Sequence, residues 1–412
     1  MKNDSRRNFL RKSLTGISAA ALVPGLLNKA DAYDLMTNSP ETANTGEGNL
    51  PTRPLGRTGL NVPLISMGVE GANSAGIIKA AYENGIRMFF SATYYGEGNN
   101  EKLLGDAVKG LQRDTLILGS AVIPKGVDHR GGTYTGESTY EAQIKTAEES
   151  LKRFGLEYLD FMLLPYAGKR ESIFFEPLLR AMEDLKKQGK TRFVGIATHS
   201  FQDEALIAAA DTKVYDMAMP QYNFRIENPE KISKAINYAS KAGIGVVAMK
   251  TQAGAYWDRE RKQPINSDAA LRWALQNENI CSVVSGMTNF SELTKNIALA
   301  KGDMKPTQKD LKDLKLASND HPSEIWCKQC RQCTIQCRQN LDIPTIMRSY
   351  MYAYGYRNLE KARHTLAEAG LSAFPCSDCS ACSIGCKAGF DIPNKISDIS
   401  RILEIPIDFL KA

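Results

Sequence analysis

Eight of the nine cysteines in this 412-residue chain fall into two copies of one spacing. Cys327, Cys330, Cys333 and Cys337 read C-x2-C-x2-C-x3-C, and Cys376, Cys379, Cys382 and Cys386 repeat it 49 positions later. The repeat outlasts the thiols, since Leu341-Asp342-Ile343-Pro344 is echoed by Phe390-Asp391-Ile392-Pro393. This rhythm wraps three thiolates around one cubane and sends the fourth to the other cluster. The expected product is two [4Fe-4S] clusters, one on Cys327, Cys330, Cys333 and Cys386, the other on Cys376, Cys379, Cys382 and Cys337. Structural zinc prefers paired C-x2-C units, and disulfide-dense scaffolds are small and stapled throughout. Neither suits eight thiols gathered at one end of a long chain.

Ahead of the cysteines, from residue 51 to about 302, apolar strand-like runs alternate with amphipathic stretches at i, i+3, i+4 spacing. Strands are expected at 64–69, 86–91, 116–122, 158–164, 192–198, 214–219, 245–249 and 281–285. Helices are expected at 75–84, 140–154, 172–188, 229–242 and 267–277, several stopped by glycine (Gly85, Gly155, Gly189). Eight strand–helix units over about 250 residues predict an α/β fold, a (β/α)8 TIM barrel. An open doubly wound sheet is the alternative, but no G-x-G-x-x-G follows the first strand. Residues 303–325 are charged and helix-prone, a connecting helix ahead of a small domain at 326–412.

Several runs carry a family resemblance. Arg53-Pro54-Leu55-Gly56-Arg57-Thr58-Gly59-Leu60, Tyr95-Gly96 with Asn100-Glu101-Lys102-Leu103-Leu104-Gly105, Ser150-Leu151-Lys152-Arg153-Phe154-Gly155, and Gly189-Lys190-Thr191-Arg192-Phe193-Val194-Gly195 resemble the aldo-keto reductases. With the cysteine tail, the chain is similar to the branch bearing a C-terminal, ferredoxin-like dicluster domain. The resemblance implies NADPH-dependent carbonyl reduction by a tyrosine acid assisted by lysine, aspartate and histidine. Tyr95 stands at the tyrosine position, but the aspartate, lysine and histidine positions hold Phe90, Ala121 and Pro165. An unassisted phenol ionises near pH 10, far from what a general acid at neutral pH needs.

The nicotinamide site that the resemblance implies is thinned as well. Met219 stands for its glutamine and Thr288 for the arginine that meets the 2′-phosphate, while Gly286 and Asn296 keep phosphate and adenine positions. NADP(H) is therefore a weakened expectation. At the carboxyl ends of the strands, where sites of this fold lie, His199 and Lys250 join Tyr95 as catalytic candidates, with Glu70, Tyr94, Lys125, Tyr166, Asn223 and Arg225 nearby. Between the cysteine runs, Tyr350, Tyr352, Tyr354 and Tyr356 are expected to pack the small domain, with an electron path as the other reading. Trp326 has the same two readings. Arg338 and Lys387, each following a fourth cysteine, are cations expected to raise cluster potentials.

The N-terminus addresses the protein. Ser5-Arg6-Arg7-Asn8-Phe9-Leu10-Arg11-Lys12 matches the twin-arginine (Tat) export motif, and Ala30-Asp31-Ala32 offers a cleavage site. A signal at 1–32 and a polar linker at 33–50 are expected, with a periplasmic product. An uncleaved anchor is the alternative. The Tat machinery carries folded proteins, which lets clusters be assembled before export. Of the formal charge of +6, the signal holds +4, so no basic stripe remains for nucleic acid. The sequence thus points to an exported oxidoreductase linking a redox partner protein to a small-molecule substrate at the barrel mouth. A non-catalytic electron-transfer subunit and an ordinary NADPH carbonyl reductase are the competing readings.

Overall fold

The computed structural model describes residues 50–128, 131–319, 325–377, 379 and 382–410. The expected export signal and nearly all of the linker lie outside them. Among the described residues no helix is long and apolar enough to cross a membrane.

Eight parallel strands close into a barrel: β1 (Ile65–Gly68), β2 (Met88–Ala92), β3 (Ile117–Ala121), β4 (Leu159–Pro165), β5 (Thr191–Thr198), β6 (Met217–Pro220), β7 (Gly245–Met249) and β8 (Ile280–Gly286). Each strand pairs with its successor and β8 closes on β1, so the open-sheet alternative is excluded. Alternation within the strands explains the two-sided burial. Met88, Phe90 and Ala92 of β2 turn into the barrel with Phe161, Met217 and Val247, while Phe89 packs outward under the helices. The Thr52–Pro54 and Asn61–Pro63 hairpin supplies Leu55 and Val62 to the floor of that interior.

The outer helices are α1 (Ala75–Glu83), α2 (Asn99–Val108), α3 (Tyr140–Phe154), α4 (Glu176–Lys187), α5 (Gln202–Thr212), α6 (Pro229–Lys241), α7 (Ser267–Leu275) and α8 (Phe290–Lys301). Local chemistry sets their ends. Thr139 caps α3 by accepting from the Ala142 N–H, and Gly155 ends it in the left-handed region at φ 66°. The helix expected at 172–188 is broken: a short turn at Arg170–Ile173 precedes α4, whose second residue is Pro177. Pro177 lacks the N–H that a continuous helix would need there. Buried carboxylates tie neighbouring units together. Asp160 meets Arg113 and Arg192, each at 2.8 Å, and Glu101 accepts from Ser120, Ser150 and Arg153.

The connecting helix, α9 (Gln308–Asn319), lies against α7 through Arg272–Asp310 and the Asn266–Asp313 hydrogen bond. Beyond it the cysteine repeat becomes a structural repeat. Each cysteine loop leads through Asp-Ile-Pro into a helix, α10 (Ile343–Tyr350) and α12 (Ile392–Ser400), with α11 (Leu359–Glu368) between them. Asp391 caps α12, and Pro344 and Pro393 sit in the first turns. Ile346, Met347, Leu366, Ile396 and Ile399 form the tail's own core, which Ala253 of the loop after β7 also joins.

Candidate functional site

Cys327, Cys330, Cys333 and Cys386 line one cavity of ≈110 Å³, walled by Ile343, Met347, Phe390 and Ile392. The first run's three cysteines thus meet the second run's last, the exchange expected from the spacing. Burial, with the neighbouring thiols adding to it, pushes Cys327 up to about 12 and Cys333 up to about 11. Burial raises Cys376 too, and the thiols that push it further are Cys379, Cys382 and Cys337. Ligation by metal requires thiolates, so loading must expel these protons. Two sets of four thiols, one around an apolar cavity, fit two four-thiolate clusters. The sets differ in exposure: Cys333 is buried and Cys382 exposed. The Gln329 N–H donates to Cys327 Sγ at 3.4 Å, the kind of contact that tunes a cluster. Lys387 is paired at 2.7 Å with Glu227 of the barrel, which offsets the cation expected to act on the cluster.

The tail lies over the carboxyl ends of the strands. Arg259–Asp398, Lys387–Glu227 and Lys361–Glu70 span from barrel to tail. At the centre, Lys250 Nζ, at the end of β7, is 2.8 Å from the Tyr352 hydroxyl and 4.0 Å from Glu70. Lys361 also lies over the Tyr352 ring, 3.9 Å from its centroid. Burial would raise the Tyr352 phenol, but Lys250 and Lys361 outweigh it and hold the phenol below its ordinary value. Burial likewise opposes ionisation of Glu70 and is outweighed by Lys361 and Lys250. Lys250, which burial would discharge, is held protonated by Tyr352 and Glu70. Two backbone irregularities meet here. Lys250 is in the left-handed region at φ 56°, costly for a residue with a Cβ. Tyr352 rides on a π-helical turn, Met351–Gly355, a form that frequently marks functional sites.

The other sequence candidates surround this pair. Tyr95 follows β2, and burial plus the negative charge of Glu70 drive its phenol well above the ordinary value. Tyr166 hydrogen-bonds Tyr94 and its ring centroid lies 5.7 Å from that of His199. Burial, then Arg348 and Lys250, hold His199 neutral, and its Nδ1 has no hydrogen-bond partner. The structure thus brings Lys250 to Tyr352 rather than to Tyr95. Lys125 is exposed and takes no part. Two gaps of ≈10 Å³ mark what the tail leaves open. One is lined by Tyr166, His199, Gln329 and Arg348, the other by Gln221, Lys250, Trp326, Cys327, Arg348 and Tyr352. Arg348 belongs to both and is paired with Glu368 at 2.9 Å.

At the positions of the implied dinucleotide site, Gly286 is exposed and Asn296 donates its amide to Ser285 Oγ at 3.1 Å. The Thr288 N–H and hydroxyl both donate to the Glu292 carboxylate, at 2.7 and 2.9 Å. A carboxylate therefore holds the donors that a phosphate would use.

The sequence matches the Aldo/keto reductase family over residues 66–269 and a 4Fe-4S dicluster domain over 326–391. An L-galactose dehydrogenase of Arabidopsis thaliana is 26% identical over 293 residues, 60% of this chain and 86% of the relative. A glyoxal reductase of Bacillus subtilis is 28% identical over 235 residues, 53% and 77% of the two chains. In fold, the chain is similar to an aldo-keto reductase from Bacillus halodurans in its holo form, with TM-score 0.54 and 20% identity over 66% of this chain and 97% of that one. An aldo-keto reductase from Klebsiella pneumoniae in complex with NADPH gives TM-score 0.50 and 21% identity, over 64% and 94%.

Proposed function

We propose, for a chain built of an aldo/keto reductase family domain and a 4Fe-4S dicluster domain, that it is an exported oxidoreductase moving electrons between a redox partner protein and a small molecule at the barrel mouth. The observation that carries this reading is the gap that Cys327 lines together with Lys250 and Tyr352. A thiol of the inner set and the most polar constellation of the mouth border one space. The clusters, when bound, supply one-electron transfer. The set of Cys376, Cys379, Cys382 and Cys337, with Cys382 exposed, suits exchange with the partner. The twin-arginine motif supports a periplasmic setting.

The inherited tyrosine mechanism has no part in this reading. Phe90, at the aspartate position, fills the barrel interior, and Gly119 makes room for it: a Cβ there would lie 2.1 Å from the Phe90 ring. Among the described residues, the groups that act most strongly on the Tyr95 phenol include no cation, and Glu292 would repel the phosphate end of NADPH. A second reading, in which the barrel is a docking body for an electron carrier, is favoured by the two gaps of only ≈10 Å³.

Anaerobic purification with iron quantitation tests the cofactor content, with about eight irons per chain expected from two four-iron clusters. The dithionite-reduced protein is then mixed with glyoxal, a small dicarbonyl chosen because one relative is named for its reduction. Reoxidation faster than in the absence of glyoxal supports the oxidoreductase. Clusters that stay reduced with glyoxal yet reduce an added electron-carrier protein favour the docking body.

A further inference from the structure

The barrel mouth has a second tyrosine. Tyr95 comes from the barrel itself, yet the hydroxyl that meets Lys250 belongs to the tail, 102 positions further along the chain. Resting on the oxidoreductase reading above, we propose that Tyr352 is the proton donor of the mouth, delivering its phenolic proton to an oxygen of the small molecule that accepts electrons there.

Four features of the constellation support this role. Lys250 is within hydrogen-bond distance of the hydroxyl, and Lys361 lies against the ring, so two ammonium groups face a buried phenol. Glu70 pairs with both lysines and is partly exposed at 26%, which connects the buried hydroxyl to water. The left-handed backbone at Lys250 and the π-helical turn under Tyr352 are irregularities of the kind that gather at functional sites. Lastly, the gap they border is shared with Cys327 and Gln221, so a residue of one thiol set and the Lys250–Tyr352 pair open on the same space. The groups facing the phenol are Lys250 and Glu70 from the barrel, Lys361, Arg348 and Tyr356 from the tail, and Tyr95 from the loop after β2.

The step balances simply. The Tyr352 O–H bond breaks, its proton goes to the acceptor's oxygen, and the bonding pair stays on the phenolate, which Lys250 neutralises. Two equivalents of a reduced one-electron donor supply the acceptor's two electrons, which the dicluster domain would relay when its clusters are bound, and water supplies the second proton, which goes to the carbon of the reduced carbonyl. Water, reached through Lys361 and Glu70, returns the proton. The gap itself, at ≈10 Å³, has room for about one water, so an acceptor reaches the hydroxyl only when the tail side chains around it shift; the small dicarbonyl glyoxal is the probe.

Two measurements on the cluster-loaded protein test the assignment. The near-ultraviolet absorbance of tyrosinate is titrated with pH, and the Tyr352→Phe curve is subtracted to isolate this phenol. Ionisation below the ordinary tyrosine value, moved upward in Lys250→Gln, is expected. A phenol that ionises at or above the ordinary value, or that ignores Lys250→Gln, overturns the proposal. With reduced methyl viologen as donor and glyoxal as acceptor, Tyr352→Phe should lose roughly 10²–10⁴-fold in turnover, the range of a general acid. A wild-type rate in Tyr352→Phe also overturns it. If the loaded wild type leaves glyoxal untouched, the oxidoreductase reading fails, and the titration by itself decides whether Tyr352 is a lysine-controlled proton donor. Should Tyr352→Phe not retain its clusters, Lys250→Arg serves, with the low ionisation expected to persist and its loss counting against the proposal.

Discussion

Arg348 sits where the tail, the mouth and both small gaps meet, and replacing it by methionine should loosen the tail in a way that can be read locally. Its guanidinium is 2.9 Å from Glu368, with the two side chains 11% and 14% exposed, and the pair joins α10 to α11. Removing one partner of such a buried pair costs about 3–5 kcal/mol, because the other charge is left without compensation. At about 1.4 kcal/mol per factor of ten, amides of α10 and α11 should exchange with deuterium roughly two to nearly four decades faster. Hydrogen exchange is the suitable assay, since it reports opening of one region without requiring the whole chain to unfold in two states. Glu368 has a second neighbour, His364 Nδ1 at 3.2 Å, whose pKa this hydrogen bond raises. A raised histidine contributes fully below its unfolded value of about 6.5 and loses its contribution as pH rises through the folded value. The Arg348→Met penalty should therefore be smaller at pH 6 than at pH 8. The double variant Arg348→Met with Glu368→Met removes both charges and should recover most of the loss. Acceleration below tenfold in the single variant, or a double variant as loose as the single one, would refute this account of the tail's attachment.

Other consequences follow from the same geometry. Cys386→Ala and Cys337→Ala should each lower the iron content by about half. Only Cys386→Ala should change the near-ultraviolet signal of Tyr352, which lines one gap with Cys327, and similar spectra for both would contradict the exchanged ligand sets. Glu292→Gln with Thr288→Arg should strengthen NADPH binding by roughly tenfold or more, about 1.4 kcal/mol, as measured by calorimetry; unchanged affinity would mean that the Glu292 carboxylate is not the obstacle. Because Lys361 and Lys250 depress the Glu70 pKa, this contact stabilises fully above the unfolded value of about 4.3 and is lost as pH falls through the folded value. Hydrogen exchange near Lys361 should therefore quicken on acidification below about pH 4, and Glu70→Gln should abolish that dependence.

Much of this was legible in residue order because it depends on near neighbours. The thiol rhythm names candidate cluster ligands, since a short loop can wrap a cubane only at certain spacings, and Cys327, Cys330, Cys333 and Cys386 line one cavity. Near-continuous apolar runs such as Met88–Ala92 name the barrel strands, since both faces of a parallel barrel are buried. The resemblance puts Phe90, Ala121 and Pro165 at the aspartate, lysine and histidine positions, which is the ground for proposing a site without the ordinary tetrad. What residue order withheld was which tyrosine Lys250 would meet. Tyr350, Tyr352, Tyr354 and Tyr356 look alike in sequence, and i,i+4 spacing pairs Tyr350 with Tyr354 and Tyr352 with Tyr356 without telling which pair meets the barrel. The signal that could have singled out Tyr352 was faint: Gly355 amid large aromatics, at a turn where a Cβ would lie 2.9 Å from Ile325. Only the packed tail decides the matter. The π-helical turn resets the direction in which Tyr352 points, and the ion pairs to Glu70, Glu227 and Arg259 fix the tail on the mouth. A contact across 102 positions depends on how two cores dock, and that is set by long-range packing rather than by any local periodicity.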